Sequence, residues 1–288
     1  MNVAELALAA CRLVDLTWIC GGASARQQQW LRLHGDEALA SWLAPQQATH
    51  FYFGSEFCEF LLPSCTGLRQ ALAAAADAGL RLVLLTPIAS PAMLPALEEL
   101  LALLPQGSEV VVNDWGVARL LATDYPYLQP VGGRLLCRMT KDPRLDERWA
   151  GHCQLNVGAP TMLALFERLG IRRVELDLPL FAQEDTFDQL PLPVGVHLPY
   201  LYVAKGRMCR IGGLAKSGAE RFAVGRRCQK ECLRVSATAW RAGREQERAP
   251  VQVGNTLFSR HSPAAAAVLR TASDRGKLAR LIVSAEAV

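Results

Sequence analysis

Three cysteines in a basic, glycine-rich stretch give the strongest chemical signal in this chain. Cys228 and Cys232 form a C-x3-C pair, and Cys209 precedes Cys228 by 19 residues. If the pair lies on a helix, residues four apart place both sulfurs on one face, where they can bind one metal centre. Lysines and arginines flank all three cysteines, and positive charge favours the thiolate form that binds metals. The segment 197–232 is therefore a candidate metal-binding segment.

A complete centre needs a fourth ligand, because a cubane iron–sulfur cluster is usually held by four cysteines. Cys58 follows a predicted strand in the motif FGSEFC, where the rim of the fold would place it near the other three. Cys65, Cys137 and Cys153 are the alternatives. Four thiolates also form structural zinc sites, but the tight C-x2-C pair of zinc knuckles is absent. Spacing alone also allows unrelated thiols, since cysteine is a common buried residue.

The nine cysteines of this 288-residue chain suit a reducing compartment. The N-terminal stretch is apolar but has no basic start, so it lacks the layout of a signal peptide. No apolar run approaches the roughly 18–20 residues that cross a bilayer. We therefore expect a cytoplasmic protein without a membrane span. Cys11 and Cys20 lie in apolar surroundings and are expected to be ordinary buried thiols.

Charge is distributed unevenly along the chain, although the net charge is only +4. Lysine and arginine outnumber acidic residues after residue 200, whereas the first 200 residues are on balance acidic. Such a basic region suits an RNA, an anionic substrate or an acidic partner. It also suits a site whose four thiolates make it anionic, so charge alone does not choose between these roles.

The elements that must position these residues alternate between strands and helices. Alanine- and leucine-rich helical patterns separate the apolar strand patterns, which indicates parallel β/α architecture. The length favours an α/β fold of the (β/α) TIM-barrel type over an open sheet. We expect a helical segment at 1–47, with helices over 3–45, and a barrel domain at 48–288. The predicted strands are 50–54, 80–87, 108–114, 128–137, 172–178, 193–202, 251–259 and 279–285.

Polar residues near the strand ends are candidates for a pocket, because TIM barrels carry their chemistry at the C-terminal ends of the strands. Asp114, Glu175 and His197 are the predicted pocket residues; Glu56, which follows the first clear strand with Cys58, and Asp177 are further polar residues at strand ends. Glu175 and Asp177 are two apart in a strand, so their side chains share a face. The alternatives are an N-cap role for Asp114, pairing of Glu175 with neighbouring arginines or solvent, and a structural role for His197.

Several motifs together resemble the peptidase U-32 (collagenase-like) family, over about residues 48–260. They resemble in particular the branch of this family that acts in oxygen-independent ubiquinone biosynthesis. Residues 1–47 and 133–149 depart from the family pattern, which leaves their roles open. The similar motifs are FYFGSEFC (51–58), VVVNDWGVARLL (110–121), LNVGAPTMLALFERLGIRRVELDLP (155–179), GVHLPYLYVAKGRMC (195–209), RRCQKEC (226–232) and VGNTLFS (253–259).

The resemblance implies a [4Fe-4S] cluster on Cys58, Cys209, Cys228 and Cys232. It also implies a part in oxygen-independent hydroxylation of a quinone precursor or similar small aromatic, within a heterodimer with a second family member. Other members are implicated in RNA hydroxylation, and some are described as peptidases. The sequence lacks Ser–His–Asp spacing and an HExxH motif, so we do not expect classical proteolysis. A non-catalytic partner with a structural cluster is the remaining alternative.

Overall fold

The computed structural model describes residues 4–142, 144–153, 155–188, 190–224, 227–239 and 249–286. The strands are β1 (Glu5–Ala10), β2 (Ala48–Gly54), β3 (Arg81–Leu85), β4 (Glu109–Val112), β5 (Gln129–Gly132), β6 (Val174–Leu176), β7 (Val194–Leu198), β8 (Tyr200–Lys205), β9 (Ala237–Thr238), β10 (Val251–Val253), β11 (Thr256–Arg260) and β12 (Arg280–Ser284). The helices are α1 (Ala23–His34), α2 (Glu37–Leu43), α3 (Cys65–Asp77), α4 (Leu94–Leu101), α5 (Trp115–Asp124), α6 (Pro160–Arg168) and α7 (Pro263–Asp274). Within these ranges, none of the helices combines the length and apolar character that crossing a membrane requires.

Eight parallel strands close into a barrel, in the order β1, β2, β3, β4, β5, β6, β7 and β12, with β12 pairing back onto β1. Helices follow several of these strands and pack against the outside of the barrel. This architecture confirms the predicted α/β TIM-barrel-like fold. The C-terminal ends of all eight strands therefore lie at the same end of the molecule.

The opening strand β1 corrects the expectation of helices throughout residues 3–45. Its sequence ELALAA consists mostly of good helix formers, yet it pairs with β2 on one side and β12 on the other. Leu6, Ala7 and Leu8 are all buried, as expected of a parallel strand covered on both faces. Pairing in the closed sheet overrides the local preference for helix, whereas α1 and α2 match the helical prediction.

A second sheet contains the stretch 251–259, which the sequence predicts as one strand. This stretch forms a hairpin of β10 and β11 inside an antiparallel sheet ordered β8, β11, β10, β9. The predicted strand 193–202 also divides, into β7 of the barrel and β8 of the second sheet, around a cis Leu198–Pro199 bond. The whole second sheet lies in an excursion between β7 and α7, and this excursion carries Cys209, Cys228 and Cys232.

Alternation along each strand sorts side chains between the outer core and the barrel interior. In β2, Phe51 and Phe53 pack in the core beneath the helices, whereas Tyr52 lies in the interior layer with Val111 and Ile282. Gly195 of β7 leaves room for the Ile282 side chain in this layer, because a Cβ at position 195 would lie 2.8 Å from Ile282 Cδ1. An apolar layer therefore fills the middle of the barrel and separates two polar ends.

Candidate functional site

All four predicted cysteine ligands line one cavity of about 820 Å³ at the C-terminal end of the barrel. Cys58 follows β2, and Cys209 follows β8. Cys228 and Cys232 lie in the connection between β8 and β9. The structure thus brings together four thiols that are widely separated in sequence.

The thiols affect one another electrostatically. Burial raises the pKa of Cys58, and the sulfurs of Cys228 and Cys209 raise it further. Burial likewise raises the pKa of Cys232 to about 12, with added contributions from the other three sulfurs. Thiols that oppose one another's ionisation stay protonated by themselves, whereas a bound cation centre stabilises thiolates. The donor set therefore fits a positively charged metal centre.

The distances between the four sulfurs bear on whether the site suits a single metal ion or a larger metal centre. Within the described ranges, no three of the four cysteine sulfurs all lie within 4.8 Å of one another. A tetrahedral zinc ion with Zn–S bonds near 2.3 Å holds its sulfurs only about 3.8 Å apart. The four sulfurs are therefore not arranged as the ligands of one tetrahedral zinc ion.

Backbone N–H groups point at two of the sulfurs. Gly212 N donates to Cys209 Sγ at 3.3 Å, and Lys230 N donates to Cys228 Sγ at 3.3 Å. Lys230 has φ 58°, a left-handed conformation that is uncommon outside glycine. Hydrogen bonds to ligand sulfurs orient them and tune the potential of an iron–sulfur site.

The helical geometry expected for the C-x3-C pair is wrong. Cys232 lies in a single 3-10 turn, Glu231–Leu233, and Cys228 precedes that turn in an irregular loop. The two sulfurs are brought to the cavity by the left-handed turn at Lys230 and not by helical spacing. Gly225 and Arg226, within the predicted metal-binding segment, lie outside the described residues.

Two residues at the tip of the β10–β11 hairpin hold the ligand-bearing segments together. Asn255 Nδ2 donates to the carbonyl of Phe57 at 2.8 Å and to the carbonyl of Gly206 at 3.0 Å. The adjacent Gly254 has φ 57°, and a Cβ there would lie 3.5 Å from Cys232 Sγ. Sequence analysis missed both residues, because it treated this stretch as one continuous strand.

The alternative fourth ligands lie elsewhere. Cys65 begins α3, and its thiol donates to Glu99 Oε2 at 3.5 Å. Cys137 and Cys153 are buried, and burial raises the pKa of both thiols. None of these three lines the cavity that Cys58 lines.

A smaller cavity of about 180 Å³ adjoins the thiol site. Cys11, Cys58 and Cys232 line one part of it, and Glu56 and His197 line another. The sequence offered no sign that Cys11 approaches the site, because its position depends on β1 belonging to the barrel. This cavity places a small ligand in contact with both the thiols and the polar end of the barrel.

His197 lies between two glutamates at this end. Its Nε2 is 2.8 Å from Glu175 Oε2, and its Nδ1 is 4.0 Å from Glu56 Oε2. Burial would raise the pKa of Glu175, but the hydrogen bond and charge of His197 outweigh burial and lower it. Glu175 is fully buried, so it is not a solvated strand end; its hydrogen bond goes to His197, and the charge of Arg173 adds to the lowering of its pKa.

Two buried cations complete this polar end. Arg134 donates to Glu56 and also to Asp177 Oδ1 at 2.8 Å, and Lys141 donates to the other oxygen of Asp177. Burial alone would raise the pKa of Asp177, yet Lys141 and Arg134 hold it far below its ordinary value. Glu56 is one of the polar strand-end residues that the sequence indicates, whereas the role of Arg134 follows only from its tertiary contacts.

Asp114 does not join this group. Its carboxylate accepts hydrogen bonds from Gly116 N at 2.7 Å and Val117 N at 3.2 Å, at the start of α5. This is the N-cap geometry, so the alternative role considered for Asp114 is the one that the structure shows. The predicted trio is thereby reduced to Glu175 and His197.

Basic residues line the large cavity beside the thiols. Arg138, Lys141, Lys205 and Arg207 contribute four cations, against the carboxylates of Glu59 and Glu231. This excess positive charge lies where a four-thiolate centre would place excess negative charge. The basic region after residue 200 is thus partly explained within the chain.

Comparisons with known proteins give weak similarities. No family model and no curated protein sequence matches this chain. Among solved structures, the U32 peptidase Mk0906 matches with a TM-score of 0.46 and 13% identity, over 99% of this chain and 94% of that one. Dihydropteroate synthase from Xanthomonas albilineans matches with a TM-score of 0.38 and 15% identity, over 99% and 89%. Chitinase ChiW from Paenibacillus sp. str. FPU-7 matches with a TM-score of 0.37 and 11% identity, over 97% and 40%.

Proposed function

We propose that this chain is an iron–sulfur protein of the U-32 type that holds a [4Fe-4S] cluster on Cys58, Cys209, Cys228 and Cys232. Its role is UbiV-like: it takes part in oxygen-independent hydroxylation of a quinone precursor, together with a UbiU-like partner. The family resemblance of the sequence motifs is the source of this biological role.

The observation that carries the proposal is the convergence of these four cysteines. They come from two separate connections of the fold, the one after β2 and the one between β8 and β9, and line one cavity, whereas Cys65, Cys137 and Cys153 lie outside it. No three of these sulfurs lie within 4.8 Å of one another, which is wider than one tetrahedral zinc ion requires, and four cysteines are the usual ligand set of a cubane cluster. Such a cluster supplies one-electron transfer when bound.

The walls beside the thiols suit a small aromatic ligand. Phe57 and Tyr202 stand with ring centroids 5.1 Å apart, and the Arg134 guanidinium lies 5.1 Å from the Phe57 centroid. The adjoining cavity of about 180 Å³ is comparable with the ~150 Å³ apolar cavity that binds benzene in an engineered protein. A ligand there would contact Cys58 and His197 together.

A thiol-peptidase role is less consistent with this site. A nucleophilic cysteine needs a depressed pKa, usually from an adjacent imidazolium or a helix N-terminus. Burial and the neighbouring sulfurs instead raise the pKa of Cys58. The site therefore favours metal binding by this thiol over attack on a peptide bond.

The direct test is metal and sulfide analysis of protein purified without oxygen. We expect about four irons and four sulfides per chain, with the broad visible absorption of a cluster. Cys58→Ala, Cys209→Ala, Cys228→Ala and Cys232→Ala should each lose most of this iron. Cys65→Ala is the matched control and should keep it.

Three outcomes would contradict the proposal. Stoichiometric zinc in a colourless protein would replace the cluster with a structural ion. Full iron content in Cys58→Ala would remove that residue from the ligand set. Co-purification of RNA instead of a quinone intermediate would keep the cluster but move the role to RNA hydroxylation.

A further inference from the structure

Glu56, Glu175 and His197 form a compact group of potential metal ligands, separate from the four thiols. One ligand atom from each residue lies within 4.8 Å of the others. All three side chains are buried, with at most 5% of each residue exposed. Among the described residues, this is the single group of three or more such atoms at that spacing.

The charges around the group do not balance. Glu56, Glu175 and Asp177 supply three carboxylates, while Arg134 and Lys141 supply two cations, all of them buried. These three buried carboxylates need a further positive charge, on His197 or on a bound cation, because an uncompensated buried carboxylate is strongly unfavourable.

The surplus is located on Glu175. Its Oε2 contacts His197, but its Oε1 has no hydrogen-bond partner within the described part of the chain, although the residue is 0% exposed. Buried polar atoms normally have partners, and an exception calls for an explanation such as a bound ion. Arg173 and the Tyr52 hydroxyl also act on this carboxylate, but Oε1 still has no hydrogen bond among the described residues, so this atom can accept a further ligand.

We propose that Glu56, Glu175 and His197 bind one divalent first-row transition cation, such as Mn²⁺ or Fe²⁺. Two carboxylates and one imidazole are a donor set that suits these ions. Glu56 can contribute while Arg134 contacts it, because a carboxylate has about four lone-pair positions. This site is independent of the proposed cluster, since the two share no residue.

The position of this site suggests what the ion would contact. Glu56 and His197 line the cavity of about 180 Å³ that Cys58 and Cys232 also line. Three protein ligands leave further coordination positions for water or for a ligand with an oxygen donor. The ion would therefore face the same small-molecule space as the thiols.

The test uses the full-length, anaerobically purified protein with Mn²⁺ alone as the probe, measured through the electron paramagnetic resonance signal of free Mn²⁺. We expect one Mn²⁺ bound per chain. Glu175→Gln and His197→Gln should each weaken binding at least tenfold while keeping iron and sulfide content. Glu109→Gln, which changes a carboxylate at the other end of the barrel, should leave Mn²⁺ binding unchanged.

Two further measurements separate the outcomes. Cys58→Ala should lose iron yet still bind Mn²⁺, so failure of the cluster and failure of this site are distinguishable. If Glu175→Gln is poorly folded, Glu56→Gln serves in its place. In addition, bound Mn²⁺ should raise the melting temperature of the wild-type protein. Wild-type protein that binds Mn²⁺ no more tightly than these variants would overturn the proposal and leave a charged His197–carboxylate pair.

Discussion

The two ends of the barrel contain similar residues arranged in different ways. At the N-terminal end, Arg280 donates to Glu5 at 3.0 Å, to Glu109 at 2.6 Å and to the Tyr52 hydroxyl at 2.9 Å. Arg173 makes a second ion pair with Glu109 at 2.6 Å. At the C-terminal end, Glu175 keeps a buried oxygen without a hydrogen bond among the described residues.

The difference separates stability from ligand binding. Acids and arginines at the N-terminal end pair with one another, although Arg173 Nε is buried without a hydrogen bond among the described residues, and this pairing suits the structural role of that end in TIM barrels. The C-terminal end combines an unmet acceptor, four thiols and two adjoining cavities. Substitutions at the first end should change stability and leave metal content per folded chain intact, and substitutions at the second should do the reverse.

Replacing Arg280 should have the largest effect on stability. Arg280→Met leaves the carboxylates of Glu5 and Glu109 short of a buried partner, and we expect a loss of about 3–5 kcal/mol in the free energy of unfolding. Denaturant titration followed by circular dichroism measures it. Arg81→Met is the control, because this more exposed partner of Glu5 should cost at most about 1 kcal/mol. If Arg280→Met lost iron but kept the stability of the wild type, the N-terminal end would not have the structural role assigned to it.

Glu109 should make stability depend on pH in the acid range. Burial alone would raise its pKa, but Arg173 and Arg280 outweigh burial and lower it from 4.5 to about 2. Its ionised form therefore stabilises the fold above pH 4.5, and that contribution is lost as the pH falls from 4.5 toward 2. The shift corresponds to roughly 3 kcal/mol at most.

Unfolding measured from pH 7 to pH 2 checks this dependence. Wild-type stability should fall more steeply below pH 4.5 than that of Glu109→Gln, which starts lower and stays flatter. Arg173→Met should also flatten the profile, because it removes one cause of the lowered pKa. Parallel profiles for wild type and Glu109→Gln would show that Glu109 does not govern acid stability.

Replacing Asn255 should have the smallest effect of these substitutions. The effect should be on how firmly the proposed cluster is held. Asn255→Ala removes two hydrogen bonds to the segments that precede Cys58 and Cys209, at about 1 kcal/mol each. We expect iron loss to a chelator to quicken about 5- to 30-fold, with little change in acid stability. The exposed Asn156→Ala is the matched control. Equal rates of iron loss in both variants would remove the hairpin tip from the support of the thiols.

The fold was largely predictable from the sequence, because apolar strands of a buried parallel sheet alternate plainly with amphipathic helices. The count of eight barrel strands was right, but its membership was not. The stretch 251–259 belongs to the second sheet, and Glu5–Ala10 takes its place in the barrel. Local helix propensity misassigned β1, since only pairing with β2 and β12 makes that segment extended.

A usable signal was overlooked at the hairpin. Gly254 and Asn255 separate two short apolar runs, and a Gly-Asn pair at such a point is typical of a two-residue hairpin turn. In contrast, no local pattern identifies Arg134 or Glu56 as partners, since they meet only when β2 and β5 close into the barrel. Residue types in the sequence indicated the chemistry of the site, but only tertiary contacts show which of these residues lie together.

The place of the excursion between β7 and β12 has a consequence for how the protein is made. A ribosome synthesises Cys58 early, but the other three thiols and the hairpin that supports them emerge much later. The barrel itself cannot close until β12 appears and pairs with β1. A nascent chain therefore has no assembled thiol site before the excursion is made, and the proposed cluster would be inserted only after that point.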